Sequence, residues 1–268
     1  MTEGVCKLTG EFGKFLDCHL LPKALTKADG LGVPFTEAGR GRRPRKRHSS
    51  WYDNRLVTMA GETILATSDD WAIRELRRLK LVWSGWGPMV QLADLSKIPG
   101  TDFGIRELYD CNWHRLRLFF LSLLWRAAAS EREEFDEIVL DEHELEFLRK
   151  MVAQSEPEPL EFFPISLIQL SSIGLKHNHT PLAQNMTIPS LVNGEPEWEA
   201  PIFRFYLDGL VIHFSRLSIE DNRKRDLGDL IVAGGKRLVV TTVPFERSAQ
   251  FNNIQAIMSE ASNFTGRK

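Results

Sequence analysis

The residue type that most directly suggests chemistry is a histidine near the start of the chain, in Leu16-Asp17-Cys18-His19-Leu20-Leu21-Pro22. Pro22 and the helix-forming Lys23-Ala24-Leu25 predict a short strand that delivers the imidazole and then stops. An imidazole with a pKa near neutrality can take a proton from water. The competing reading is a histidine buried in a turn. A second chemical signal is the basic run Arg40, Arg42, Arg43, Arg45, Lys46 and Arg47. Guanidinium and ammonium groups so crowded bind phosphates without reading base sequence, and Trp51 and Tyr52 just after them can stack on bases or anchor the segment to a core. His177 and His179, two apart, can share a metal on a strand, but no third ligand stands at a known spacing, so a polar turn before Pro181 is the expectation. His143 does not complete a His-Glu-x-x-His pattern because position 147 is Phe.

These groups need elements to position them. Gly10 and Gly13 separate two candidate strands at the N-terminus. Residues 27–50, rich in Gly, Pro, Arg and Lys, read as a mobile loop. Ser68, Asp69 and Asp70 supply capping chemistry for a helix over 71–82. The break at Trp83-Ser84-Gly85-Trp86-Gly87-Pro88 places a module boundary near residue 85. In the second part, residues 103–130 read as a long core helix, apolar nearly all round in its second half. Asp141 caps a further helix, and 155–164 is an exposed connector. Asp208-Gly209 and Gly234-Gly235 each predict a β-hairpin, and a final helix is capped by Ser248. The expected fold class is α+β, with residues 1–85 as one module and 86–268 as a helical plus antiparallel-sheet domain.

Composition sets the bounds. The chain has 268 residues, 43% hydrophobic and 26% charged, ordinary for a protein with a sizeable core. A net charge of -2 averages the basic run with an acidic one from Glu131 to Glu146, which reads as a solvated helix face, as a clamp that holds the basic segment inactive or as a docking site for a partner. Three scattered cysteines fit a reducing cytoplasm. There is no signal-peptide pattern, and the apolar run at 116–129 carries Arg117 and Arg126, which argues against a membrane span. Cys111 reads as core.

The N-terminal quarter, Cys6-Lys7-Leu8-Thr9-Gly10 with His19-Leu20-Leu21-Pro22-Lys23 and later Asn54-Arg55-Leu56-Val57, resembles bacterial proteins of the HNH endonuclease superfamily. The Ser122-Leu123-Leu124-Trp125-Arg126 helix looks like one found downstream of that motif in uncharacterised relatives. The resemblance implies a ββα module, derived from a treble clef, around one divalent ion, Mg or Mn. It implies His19 as the base that activates water against a phosphodiester, Asn54 as its orienting residue and Glu62 as the helix-borne metal position. Asp17, two residues before His19 and so on the same strand face, is the accompanying metal ligand. This sequence departs from the family at the zinc cysteines: Thr9, Thr58 and Gly61 stand where three of four would be, so structural zinc is not expected.

Two functions follow. One is a metal-dependent HNH-like endonuclease, cutting DNA in preference to RNA, which by resemblance suits a prokaryotic anti-phage effector. The other is a catalytically inactive HNH-like component that binds nucleic acid or a partner protein through 86–268. No nucleophile elbow, P-loop or dinucleotide fingerprint supports a small-molecule enzyme.

Overall fold

The computed structural model describes residues 2–26, 35–40, 42–48, 50–188, 198–225 and 228–265. The N-terminal part holds β1 (Glu3–Val5), β2 (Phe12–Lys14), β3 (Cys18–His19), a single turn α1 (Lys23–Thr26), β4 (Phe35–Gly39), β5 (Arg42–Arg47), β6 (Tyr52–Asp53) and the long helix α2 (Met59–Arg78). There follow β7 (Ser96–Lys97), β8 (Gly104–Leu108), α3 (Trp113–Ala129), α4 (Glu142–Gln154), β9 (Ile165–Leu170), β10 (His177–His179), β11 (Leu182–Ile188), β12 (Trp198–Leu207), β13 (Leu210–Ser215), α5 (Ile219–Arg223), β14 (Leu238–Val243) and α6 (Ala249–Thr265). The class is α+β, as expected.

Seven strands form the main sheet in the order β11-β12-β13-β9-β14-β8-β7. Alternation along the strands divides it into two faces. Phe203, Phe205, Ile212 and Phe214 point into the core with Phe119 and Phe120 of α3, whereas Tyr206 and Val211 join Trp83, Trp86 and Phe245 on the other side. α3 packs between α2 and α4. Asp208 and Gly209, with φ of 48° and 88°, make the β12–β13 hairpin that the Asp-Gly pair predicts. Asp141 accepts from the Glu144 amide in a capping box, and Ser248 accepts from the Phe251 amide at the start of α6.

Several expectations are corrected. Gly234-Gly235 makes no hairpin: β14 pairs antiparallel with β8 and parallel with β9, so its partners come from far along the chain. A Cβ at Gly234 would sit 2.2 Å from the Gly228 carbonyl oxygen, so this glycine serves a tight loop closure. The segment read as one long helix begins as strand β8, and α3 starts only after Asn112, whose side chain accepts from the Arg115 amide. The caps assigned to residues 68–70 lie inside α2, which Thr58 begins. The expected loop at 27–50 contains the β4–β5 hairpin, where alternating side chains such as Phe35 find buried positions; residues 27–34, 41 and 49 lie outside the described residues. The connector after α4 buries Phe162 and Phe163 rather than exposing them. His177 and His179 lie on a buried strand, β10, parallel to β4, and not in a turn.

One core cluster takes Cys6, Leu20, Leu65 and Leu76 together with Phe119, Trp125, Phe205 and Val240, so residue 85 does not separate two hydrophobic cores. Among the described residues no helix is long and apolar enough to cross a membrane.

Two buried imidazoles make stability depend on pH. His177, stacked on Tyr206 at 4.7 Å between ring centroids, has its pKa pulled to about 4 by burial. Burial, then Arg204, pulls that of His213 to about 3. Both lie below the unfolded imidazole value, so the unfolded chain binds more protons in the window beneath about 6.5. The stabilisation is fully present above that value and is lost as pH falls. Urea titrations at pH 7.5 and pH 5 are expected to differ by about 2 kcal/mol per histidine. His177→Phe should shrink the difference, and an unchanged stability at pH 5 would refute neutral buried rings.

Candidate functional site

β3 and β6 pair antiparallel, Cys18 opposite Asp53 and His19 opposite Tyr52, and Leu20 extends the contact by donating to the Trp51 carbonyl at 3.0 Å. α2 follows directly, with Phe15 bridging to Thr58 at its start. Glu62, Leu65, Asp69, Ala72, Ile73 and Leu76 recur at helical spacing along α2, which turns one stripe toward β3 and α3. That stripe carries two carboxylates. Asp69 pairs with the Arg126 guanidinium of α3, and Glu62 feels its charge without bonding to it.

Arg126 is 1% exposed. Its Nη1 donates to the His19 carbonyl at 3.0 Å and to Asp69 Oδ2 at 2.9 Å, while Nη2 donates to Asp69 Oδ1 and to Ser122 Oγ. Burial alone would lower its pKa, but Asp69, Cys18 and Glu62 hold it above the usual arginine value. The Glu62 carboxyl is raised by burial against the opposing influence of Cys18 and Arg126, and its Oε2 is buried without a hydrogen bond. The Cys18 thiol is pushed far up by burial and is unreactive as a nucleophile. A guanidinium therefore supplies the positive charge among Cys18, Glu62 and Asp69.

His19 does reach the end of a strand, half-buried, with the Tyr52 ring edge-on at 6.5 Å. Burial, then Lys23, lowers its pKa, and Nδ1 is buried without a partner. Asp17 is exposed just before β3, and its charge acts on the His19 imidazole. Asn54 is exposed in the turn after β6, where Asp53 accepts from the Arg55 amide and from the Ser130 hydroxyl. Among the described residues no three His, Cys, Asp or Glu side chains are grouped to hold a metal ion. Of the three expected donors, Glu62 lies within the electrostatic reach of Arg126, and Asp17 within that of His19.

The positions that depart from a zinc knuckle nonetheless converge. The Thr9 amide lies 3.5 Å from Cys6 Sγ, the Thr58 backbone also bonds that thiol, and a Cβ on Gly61 would fall 2.7 Å from it. Cys6 is fully buried and fills the space by packing.

The basic run is a strand, not a free loop. Arg40 pairs with Glu137 at 3.0 Å, and Arg42 pairs with Glu133 and Asp136, each at 3.4 Å, and donates to the Glu133 carbonyl. Arg47 lies 3.7 Å from Glu37. Arg45 and Lys46 are exposed at the edge of the β10-β4-β5 sheet and pair with no carboxylate among the described residues; the Arg43 side chain lies outside them. Part of the acidic run thus lies against part of the basic one. Trp51 is buried edge-on to Phe135, so it anchors this segment.

Arg126 and Asp69 were not singled out by type or spacing. The available signal was a charge inside an otherwise apolar helix, which demands a buried counter-ion. No family model matches the chain, and no curated protein or solved structure matches it.

Replacing Arg126 by Met should destabilise the fold by roughly 3–5 kcal/mol, because the Asp69 carboxylate is left buried and unpaired. Adding Asp69→Asn should recover part of that loss. Denaturation of the four members of this cycle measures the coupling, and simple additivity would contradict it.

Proposed function

We propose that residues 1–85 form an HNH-like unit whose ion position is taken by the Arg126 guanidinium, and that the chain binds nucleic acid, DNA foremost, without cleaving it. The observation that carries this reading is Arg126 itself, bonded to the His19 carbonyl and to Asp69 beside Cys18 and Glu62. The order β3, β6, α2 and the convergence of Thr9, Thr58 and Gly61 on Cys6 support the kinship. Arg45 and Lys46 supply phosphate contacts from an exposed edge strand, while Arg40 and Arg42 are held back by Glu133, Asp136 and Glu137. The remaining chain serves as the frame on which this unit packs and as a surface for a partner protein.

A metal-dependent endonuclease is the second reading, and His19 favours it. Its lowered pKa leaves the imidazole a free base at neutral pH, the form that accepts a proton.

Incubation of supercoiled plasmid with Mg²⁺ or Mn²⁺ separates the two. Intact plasmid with both native protein and His19→Ala is expected; nicking by the native chain that vanishes in the variant establishes the nuclease. Binding measured across a salt series should show a log–log slope that Arg45→Ala with Lys46→Ala reduces by about two. Glu133→Gln with Asp136→Asn should tighten binding by freeing Arg42. A salt-independent response would remove nucleic acid from both readings.

A further inference from the structure

On the sheet face away from α3, Arg204 of β12, His213 of β13 and Ser166 of β9 stand side by side in one cross-strand row. Arg204 Nε donates to His213 Nε2 at 2.8 Å, and the Gln184 amide, when turned with its oxygen toward the guanidinium, accepts from both Nη groups at 3.1 Å. These partners are neutral. No carboxylate pairs with Arg204 among the described residues, and burial lowers its pKa with no opposing charge. A largely buried cation without a counter-ion is costly, and an anion nearby would offset that cost. Because His213 Nε2 accepts from Arg204, a neutral ring carries its proton on Nδ1. The same ring lines a cavity of about 120 Å³ with Ser166, Arg225, Ala200, Ile202 and Met186. One wall is polar and cationic, and the other is aliphatic.

We propose that this cavity binds a short aliphatic carboxylate. The carboxylate oxygens accept from His213 Nδ1–H and the Ser166 hydroxyl, with the Arg204 charge behind the imidazole and Arg225 at the rim. The alkyl tail lies on Ala200, Ile202 and Met186. The site is separate from His19 and does not depend on whether the chain binds or cuts nucleic acid.

Calorimetric titration of the full chain with butanoate, with butanamide as its neutral counterpart and with inorganic phosphate tests the assignment. Butanoate is expected to bind at least roughly tenfold more tightly than butanamide, the difference a charge-assisted pair supplies, and phosphate is expected not to bind. Ala200→Leu should abolish butanoate binding while far-ultraviolet circular dichroism stays native. Should that variant fail to fold, the imidazole nitrogen resonances of His213 in the native protein provide the readout, moving with butanoate and not with butanamide. Equal affinity for acid and amide, no heat with butanoate, or unmoved His213 resonances would overturn the proposal.

Discussion

A buried guanidinium paired with one carboxylate holds the N-terminal elements to the rest of the molecule. Arg126 reaches from α3 to Asp69 on α2 and to the backbone of β3 in one planar fork. A lysine has a single point charge and lacks that geometry. The charge cannot leave once buried, so α2 and β3 must be placed where its donors are satisfied. The end of the same helix continues the attachment: Ser130 donates to Asp53 on β6, Arg132 to the Tyr52 carbonyl, and Lys7 to the Ala129 carbonyl. A short hairpin with few apolar contacts of its own is thereby fixed by hydrogen bonds from one helix terminus.

Two other buried arginines follow the same logic elsewhere. Arg117, fully buried on α3, donates to the carbonyls of Pro157, Pro159, Phe162 and Phe163, and burial pulls its pKa to about 10. It orders a connector that has no secondary structure of its own to satisfy its carbonyls. Arg106, on β8, bonds Gln169, the Leu79 carbonyl and Asp94, joining the sheet to the end of α2. The core is thus an apolar body crossed by three cations, each assigned to a seam between elements.

Arg126 on α3 faces inward and pairs with Asp69 on α2. The cations that face outward are divided: Arg40 and Arg42 lie against the 133–137 segment, while Arg45 and Lys46 remain open at a sheet edge. Surface pairs of this kind are weak and screened by salt.

The sequence by itself determined the local features that nearest neighbours decide. The strand that ends after His19, the Asp208-Gly209 turn, the Asp141 capping box and the Ser248 cap all rest on interactions a few residues long. Only the tertiary structure decided which distant partner each element takes. Gly234-Gly235 looked like a hairpin, yet β14 pairs with β8 and β9, because burying both faces of a central strand outweighs a local turn preference. Ser68 to Asp70 looked like a cap, yet α2 runs through them, because Asp69 finds its partner on α3. Arg126 was visible only as a charge in an apolar helix, and the identity of its counter-ion required the fold. Long-range pairing leaves no periodicity in the chain, which is why the partner of Arg126 could not be read from it.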